Sequence, residues 1–282
     1  MQNEMSGISR PSANVLILSS HSNPKTSGPV NHQVYAMRHG YDYLFDMTPL
    51  ALKTPYDQKL DVIARTMRRT RCDWIVWIDD DAYFMQLDKP ITDFLPKNDT
   101  VDFVICRSPV NLQGIWSYIN SGVVIIRNCK QALLIVEEAL HLSMSQVEAW
   151  WDAEKYGHFV AGGDQERLTY VFENNPLCKD AVTIHDHTEF NSRAYHFTRS
   201  ADELFVCHLA SHRDKAVPLA MMMERFGLDI HLLPVDVADN LPGSLAQSYF
   251  SKPLPKRKPP SVVRRVARKV KRLLRPWRRA TS

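Results

Sequence analysis

The chain has 282 residues, 44% of them hydrophobic and 23% charged, an ordinary globular composition long enough to bury a large core. Its five cysteines are odd in number, scattered and without a CxxC pair, which argues against a disulfide framework or a zinc knuckle and for a reducing compartment. The net charge of +4 averages two unlike pieces: thirteen Lys and Arg and no acid lie between Lys252 and Arg279, and without those thirteen the remainder carries −9.

Met1 to Pro11 is polar and lacks an apolar targeting core, and no uncharged run approaches the roughly 20 residues that span a bilayer. The expectation is a protein neither secreted nor membrane-spanning. Asn14 to Ser19 is a short apolar run between polar residues and reads as a buried first strand. Asn31 to His39 is expected to be helical, with Gly40 at its C-cap and a second strand over Tyr41–Phe45. From Asp57 to Arg69 the apolar Leu60, Ile63, Ala64 and Met67 recur at spacings of three and four, so an amphipathic helix follows. Cys72 to Ile78 is the third strand, and its end carries Asp79, Asp80 and Asp81.

Alternating strands and helices predict a parallel α/β sheet, whose ligands bind outside the carboxyl ends of the strands, where the acidic triplet lies. Further strands are expected over 101–106 and 122–126, a long helix over 130–151 and a shorter one over 164–172. One domain over 12–250 is followed by a separate segment, 251–282. That segment begins with a Pro-rich linker, 252–260, after which Val262, Val263, Val266, Val270, Leu273, Leu274 and Trp277 recur at helical spacing among basic residues.

Hydrophobic Trp74 to Ile78 delivers three consecutive carboxylates to a strand end, and buried carboxylates need water or a cation. Strand alternation would put Asp79 and Asp81 on one side, where they suit a hard divalent cation able to neutralise a diphosphate, with Asp80 on the other. Taken alone, such a triplet also reads as an acidic turn.

The context resembles the DxD site of GT-A glycosyltransferases, and specifically glycosyltransferase family thirty-four, which transfers galactose, xylose and mannose. The matching motifs, in order, are Asn31, Tyr35 and His39-Gly40-Tyr41, then Lys59-Leu60, then the acidic site. After it come Asn120-Ser121-Gly122 with Arg127-Asn128, and Gly163-Asp164-Gln165. The resemblance covers residues 14 to 215 and implies a Rossmann-like, mostly parallel GT-A sheet flanked by helices. It implies a metal held by Asp79, Asp81 and a late histidine. His208 is preferred because it follows the apolar run Leu204–Cys207, and His212 remains open because Ala210 and Arg213 stand where the family has glycine and lysine.

By the same resemblance Asp164 would grip sugar hydroxyls, Gln165 would lie near the anomeric carbon and Asn120 would contact the sugar. Outside the resemblance, Asp164 reads as a helix N-cap. Tyr35, Lys59, Asp80, Arg213 and Lys215 are expected at the donor nucleotide and its diphosphate, where a guanidinium binds phosphate bidentately. Trp116 and Tyr118 are candidate acceptor faces; Trp150 and Trp151 read as packing, and His185 and His187 as a solvated loop.

The reaction these parts imply is retaining transfer of a hexose from a nucleotide-sugar, UDP-hexose first and GDP-mannose second, to a glycan or lipid-linked acceptor. Manganese or magnesium would assist departure of the diphosphate. The basic, apolar-striped tail is expected to lie on an anionic membrane surface rather than on nucleic acid, placing the protein on the cytoplasmic, inner face. A non-catalytic nucleotide-sugar binder on the same fold and a metal-dependent phosphohydrolase are the alternatives.

Overall fold

The computed structural model describes residues 13–21, 26–49, 54–160, 163–210, 212 and 214–241. Arg213 and the whole of 251–282 therefore lie outside the described residues. The elements run β1 (Val15–Ser20), α1 (Gly28–His39), β2 (Asp42–Asp46), α2 (Pro55–Arg69), β3 (Trp74–Ile78), β4 (Ala82–Phe84), β5 (Phe103–Cys106) and β6 (Asn120–Arg127). They continue α3 (Lys130–His141), α4 (Met144–Trp150), α5 (Ala153–Tyr156), α6 (Asp164–Asn174), β7 (Val182–His185), α7 (His187–Phe190), β8 (Val206–His208), α8 (Ala216–Phe226) and α9 (Val235–Asp239).

Six strands form one sheet in the order β2-β1-β3-β6-β5-β7. β1 pairs in parallel with both β2 and β3, and β5 with β7, while β6 runs antiparallel between β3 and β5. The sheet is thus mostly parallel with one reversed strand. Period-two alternation sorts the sheet's side chains into two cores. Leu16, Leu18, Ile75 and Trp77 pack beneath Leu60, Ile63 and Met67 of α2, Ile135 of α3 and Leu168 of α6. Val15, Ile17, Val76 and Ile78 face the other way, against Val34 and Tyr35 of α1, Phe84, Phe190 and Phe205.

The expected single helix over 130–151 is two. Leu142 takes an extended backbone and Ser143 caps α4, its hydroxyl accepting from the Gln146 N–H at 3.3 Å. The Ser143…Gln146 spacing is a helix-start signal inside an apolar pattern, and the start signal wins. The acidic triplet also differs from expectation. β3 ends at Ile78, and Asp79 to Asp81 form a turn closed by Ala82 N–H to Asp79 O at 3.0 Å. Strand alternation does not continue through the triplet.

A second, two-stranded sheet pairs β4 with β8 and sets Ala82 opposite His208. Leu209 N–H bonds Asp81 O at 2.9 Å, and Asp79 N–H bonds Gly122 O at 2.8 Å. Three chain segments far apart in sequence are thereby clamped around one turn. Among the described residues, no helix is long and apolar enough to cross a membrane.

Candidate active site

Asp79, Asp81 and His208 each offer one ligand atom within 4.8 Å of the others. His208 Nε2 stands 3.2 Å from Asp81 Oδ1 and 3.7 Å from Asp79 Oδ2, and the ring is buried. His212 is not in the cluster. A Cβ on Gly122 would sit 2.0 Å from His208 Cε1, so only glycine lets β6 pass this close to the imidazole.

The groups behind these ligands are ordered by hydrogen bonds. Asn120 Oδ1 accepts from Gly122 N–H at 3.1 Å and from Asn191 Nδ2 at 2.8 Å. Asn191 Nδ2 is therefore the donor there, and its Oδ1 is turned to His208 Nδ1 at 2.9 Å. Arg193 Nη1 lies 3.1 Å from the same ring nitrogen. Nδ1 thus has an acceptor and a donor at hand, and either tautomer of the neutral ring finds a partner. With the proton on Nδ1 held by Asn191, the Nε2 lone pair faces the two carboxylates, the arrangement a metal-ligating histidine needs.

Burial pulls the His208 imidazole below its usual pKa against the opposing pull of Asp81. Burial also opposes ionisation of Asp81, but the positive charge of Lys215 beside it offsets burial and holds the carboxyl well below the carboxylate range. For this pair the balance is a neutral imidazole beside an ionised Asp81, with Lys215 Nζ at 2.6 Å supplying the charge. Asp80 turns away from both. Burial, then Asp81 and Asp79, push it up to about 7, and Thr26 Oγ1 donates to its backbone carbonyl at 2.5 Å. Two carboxylates and a neutral imidazole converging in this way fit a divalent cation.

Lys59, from α2, is buried beneath the turn and bridges Asp79 at 3.2 Å and Asp164 at 2.9 Å. Burial alone would lower its pKa; Asp164 and Asp79 outweigh it and raise it, so it stays charged. Asp164 is not the N-cap of α6. Gly163 is, with the Glu166 carboxylate accepting its N–H at 2.9 Å, while Asp164 accepts from Ser121 Oγ at 2.6 Å. Its carboxylate is spent on Lys59 and Ser121, and it does not line a cleft beside the triplet.

Two clefts meet at the Asp79–Asp81 turn. One, of about 250 Å³, is lined by Ser20 and His21 at the end of β1 with Tyr56, Lys59 and Trp77. The other, of about 390 Å³, holds Asn120, Gln165, Arg193, His208 and Lys215, with Trp116 and Asn111 farther out. Tyr56, Asp79 and Asp81 border both. The Gln165 side chain and the Asn120 Nδ2 have no partner among the described residues, so both amides are available to a sugar.

Tyr35 corrects the sequence reading. It is fully buried, stacks on Phe84 with centroids 3.7 Å apart and donates to Lys89 O at 2.7 Å, leaving no face for a nucleotide base. Tyr118 packs edge-on against Tyr156, 5.4 Å away, and does not line the second cleft as Trp116 does. Trp150 stacks on Tyr156 at 4.6 Å, as packing residues do. Tyr56, Asn191 and Arg193 were missed. Nothing in the sequence marks Asn191 and Arg193, whose importance lies in their burial beside His208.

Residues 19–113 match the galactosyl transferase GMA12/MNN10 family, family thirty-four. The chain resembles glycosyltransferase family thirty-four. Galactomannan galactosyltransferase 1 of Cyamopsis tetragonoloba is 28% identical over 145 residues, 51% of this chain and 31% of that protein. Xyloglucan 6-xylosyltransferase 4 of Arabidopsis thaliana is 30% identical over 107 residues, 36% of this chain and 20% of that one. The chain thus spans about a third or less of the length of these two relatives. A glycosyltransferase involved in glycosylation of the major capsid of PBCV-1 shares the fold, with TM-score 0.57 and 20% identity over 73% of this chain and 98% of that one.

Proposed function

We propose that this protein is a metal-dependent, retaining glycosyltransferase that moves a hexose from a nucleotide-sugar, UDP-hexose first and GDP-mannose second, to a glycan or lipid-linked acceptor. The observation that carries the reading is the convergence of Asp79, Asp81 and His208 at the meeting point of two clefts. Those three residues would hold a divalent cation, manganese or magnesium, which when bound supplies neutralisation of the charge on the departing diphosphate.

The first cleft, at the end of β1, takes the nucleoside, with Tyr56 as the exposed aromatic at its edge. Lys215 adds a positive charge next to Asp81, where the diphosphate would lie. Asn120 Nδ2 and the Gln165 amide point into the second cleft and orient the sugar hydroxyls and the reacting carbon. Lys59, at the wall of the first cleft, and Asp164 behind it form a buried ion pair that fixes Asp79 and the start of α6. Among the residues lining the second cleft the carboxylates are Asp79 and Asp81, both assigned to the cation. No carboxylate is left as a covalent nucleophile, which favours front-face transfer with retention.

Calorimetric titration of UDP and of GDP, each with and without manganese, on wild type and Asp81→Ala tests the reading. One nucleotide should bind only with manganese, and at least about tenfold more weakly in the variant. Binding of neither nucleotide under any condition would overturn it.

A further inference from the structure

Two cations line the second cleft among the described residues, and they differ in what holds them. Lys215 is taken by Asp81 at 2.6 Å and by Leu209 O at 2.8 Å. Arg193 is only 4% exposed, yet has no carboxylate within ion-pair reach among the described residues. Among the described residues its side chain makes one polar contact, Nη1 to His208 Nδ1 at 3.1 Å. A guanidinium carries five donors and stays charged, and a buried charge without a counter-charge is costly. Such a group, opening on a cleft, is built for an anion that arrives from outside.

Its position also says which reactant carries the anion. The two nitrogens of His208 face opposite ways: Nε2 toward Asp79 and Asp81, Nδ1 toward Arg193. The imidazole ring stands between the guanidinium and the place assigned to the diphosphate. Arg193 borders the cleft that contains Asn111, Trp116 and Gln165, not the one at the end of β1.

We infer that Arg193 receives a carboxylate or phosphate on the acceptor, so that the enzyme selects an acidic sugar. The term acceptor rests on the glycosyltransferase reading above. The guanidinium forms a bidentate pair with the anionic group and so fixes which face of the acceptor sugar meets the donor. A neutral acceptor leaves the buried charge unpaired and binds more weakly.

The test measures binding, by saturation-transfer NMR titration, of methyl β-glucuronoside, glucose 6-phosphate and neutral methyl β-glucoside to the full chain with UDP and manganese. The glucuronoside and the 6-phosphate distinguish carboxylate from phosphate. At least one anionic sugar should bind wild type roughly tenfold more tightly than the neutral one, with the ratio shrinking as salt rises. In Arg193→Gln the ratio should fall to about one. A wild-type ratio near one, or no binding of either anionic sugar, overturns the inference without any variant having to fold. A ratio unchanged in Arg193→Gln overturns it as well. The UDP–manganese titration of wild type reports separately on the donor reading, so the two failures can be told apart.

Discussion

Gly122 and Gly28 show how tightly the acidic turn is held. A Cβ on Gly122 would lie 2.0 Å from His208, and one on Gly28 would lie 2.1 Å from the carbonyl of Asp80. Backbone approaches from two sides where no side chain fits. His32 belongs to the same support. Its Nε2–H donates to Ala82 O at 2.7 Å, its Nδ1 lies 3.2 Å from Ser19 Oγ, and the ring is fully buried. Burial, only partly offset by the Ala82 hydrogen bond, lowers its pKa from 6.5 to about 4. The unfolded chain therefore takes up a proton on His32 before the folded one does, and stability falls as pH drops from about 6.5 toward 4. The loss expected is up to about 3 kcal/mol. Urea midpoints measured from pH 7 to pH 4 should show it, with a shallower decline in His32→Gln.

α2 is the element that supports the site most directly, because one face packs on the sheet while its first turns carry Tyr56 and Lys59 to the wall of the first cleft. Its start is fixed by Thr54, whose Oγ1 accepts from Asp57 N–H at 3.1 Å and donates to the Asp57 carboxylate at 2.9 Å. Asp57 is in turn ion-paired with Arg167 of α6, which ties together the two helices that supply Lys59 and Asp164. Thr54→Ala should cost about 1 kcal/mol, read from chemical denaturation. An unchanged midpoint would mean that the cap does not hold α2.

At the scale of the whole molecule, charge is divided between a body at −9 and thirteen basic residues after Ser251. On the membrane expectation drawn from the sequence, we propose that those residues hold the protein on an anionic membrane surface, each adding roughly 1 kcal/mol of attraction. The full chain should co-sediment with vesicles containing phosphatidylserine or phosphatidylglycerol, and high salt should weaken it. Truncation after Ser251 should abolish co-sedimentation; binding unaffected by truncation would refute the membrane role.

Most local elements, and the place of the acidic triplet at the end of a strand, can be read from the sequence. Leu60, Ile63 and Met67 can be read as one helix face because helical spacing is a property of neighbouring residues, and Trp74–Ile78 as a buried strand because its apolar run is continuous. Asp79 and Asp81 are legible for the same reason. The break at Leu142 was legible too, through Ser143 and Gln146, but the apolar pattern on either side obscured it. Tertiary structure alone decided what depends on contacts between distant segments. It reversed β6 and turned the triplet out of strand geometry. It buried Tyr35 in the core, spent Asp164 on Lys59 and brought Asn191 and Arg193 beneath His208. Burial and the direction of a side chain follow from which segments pack together, and no spacing within one segment records that.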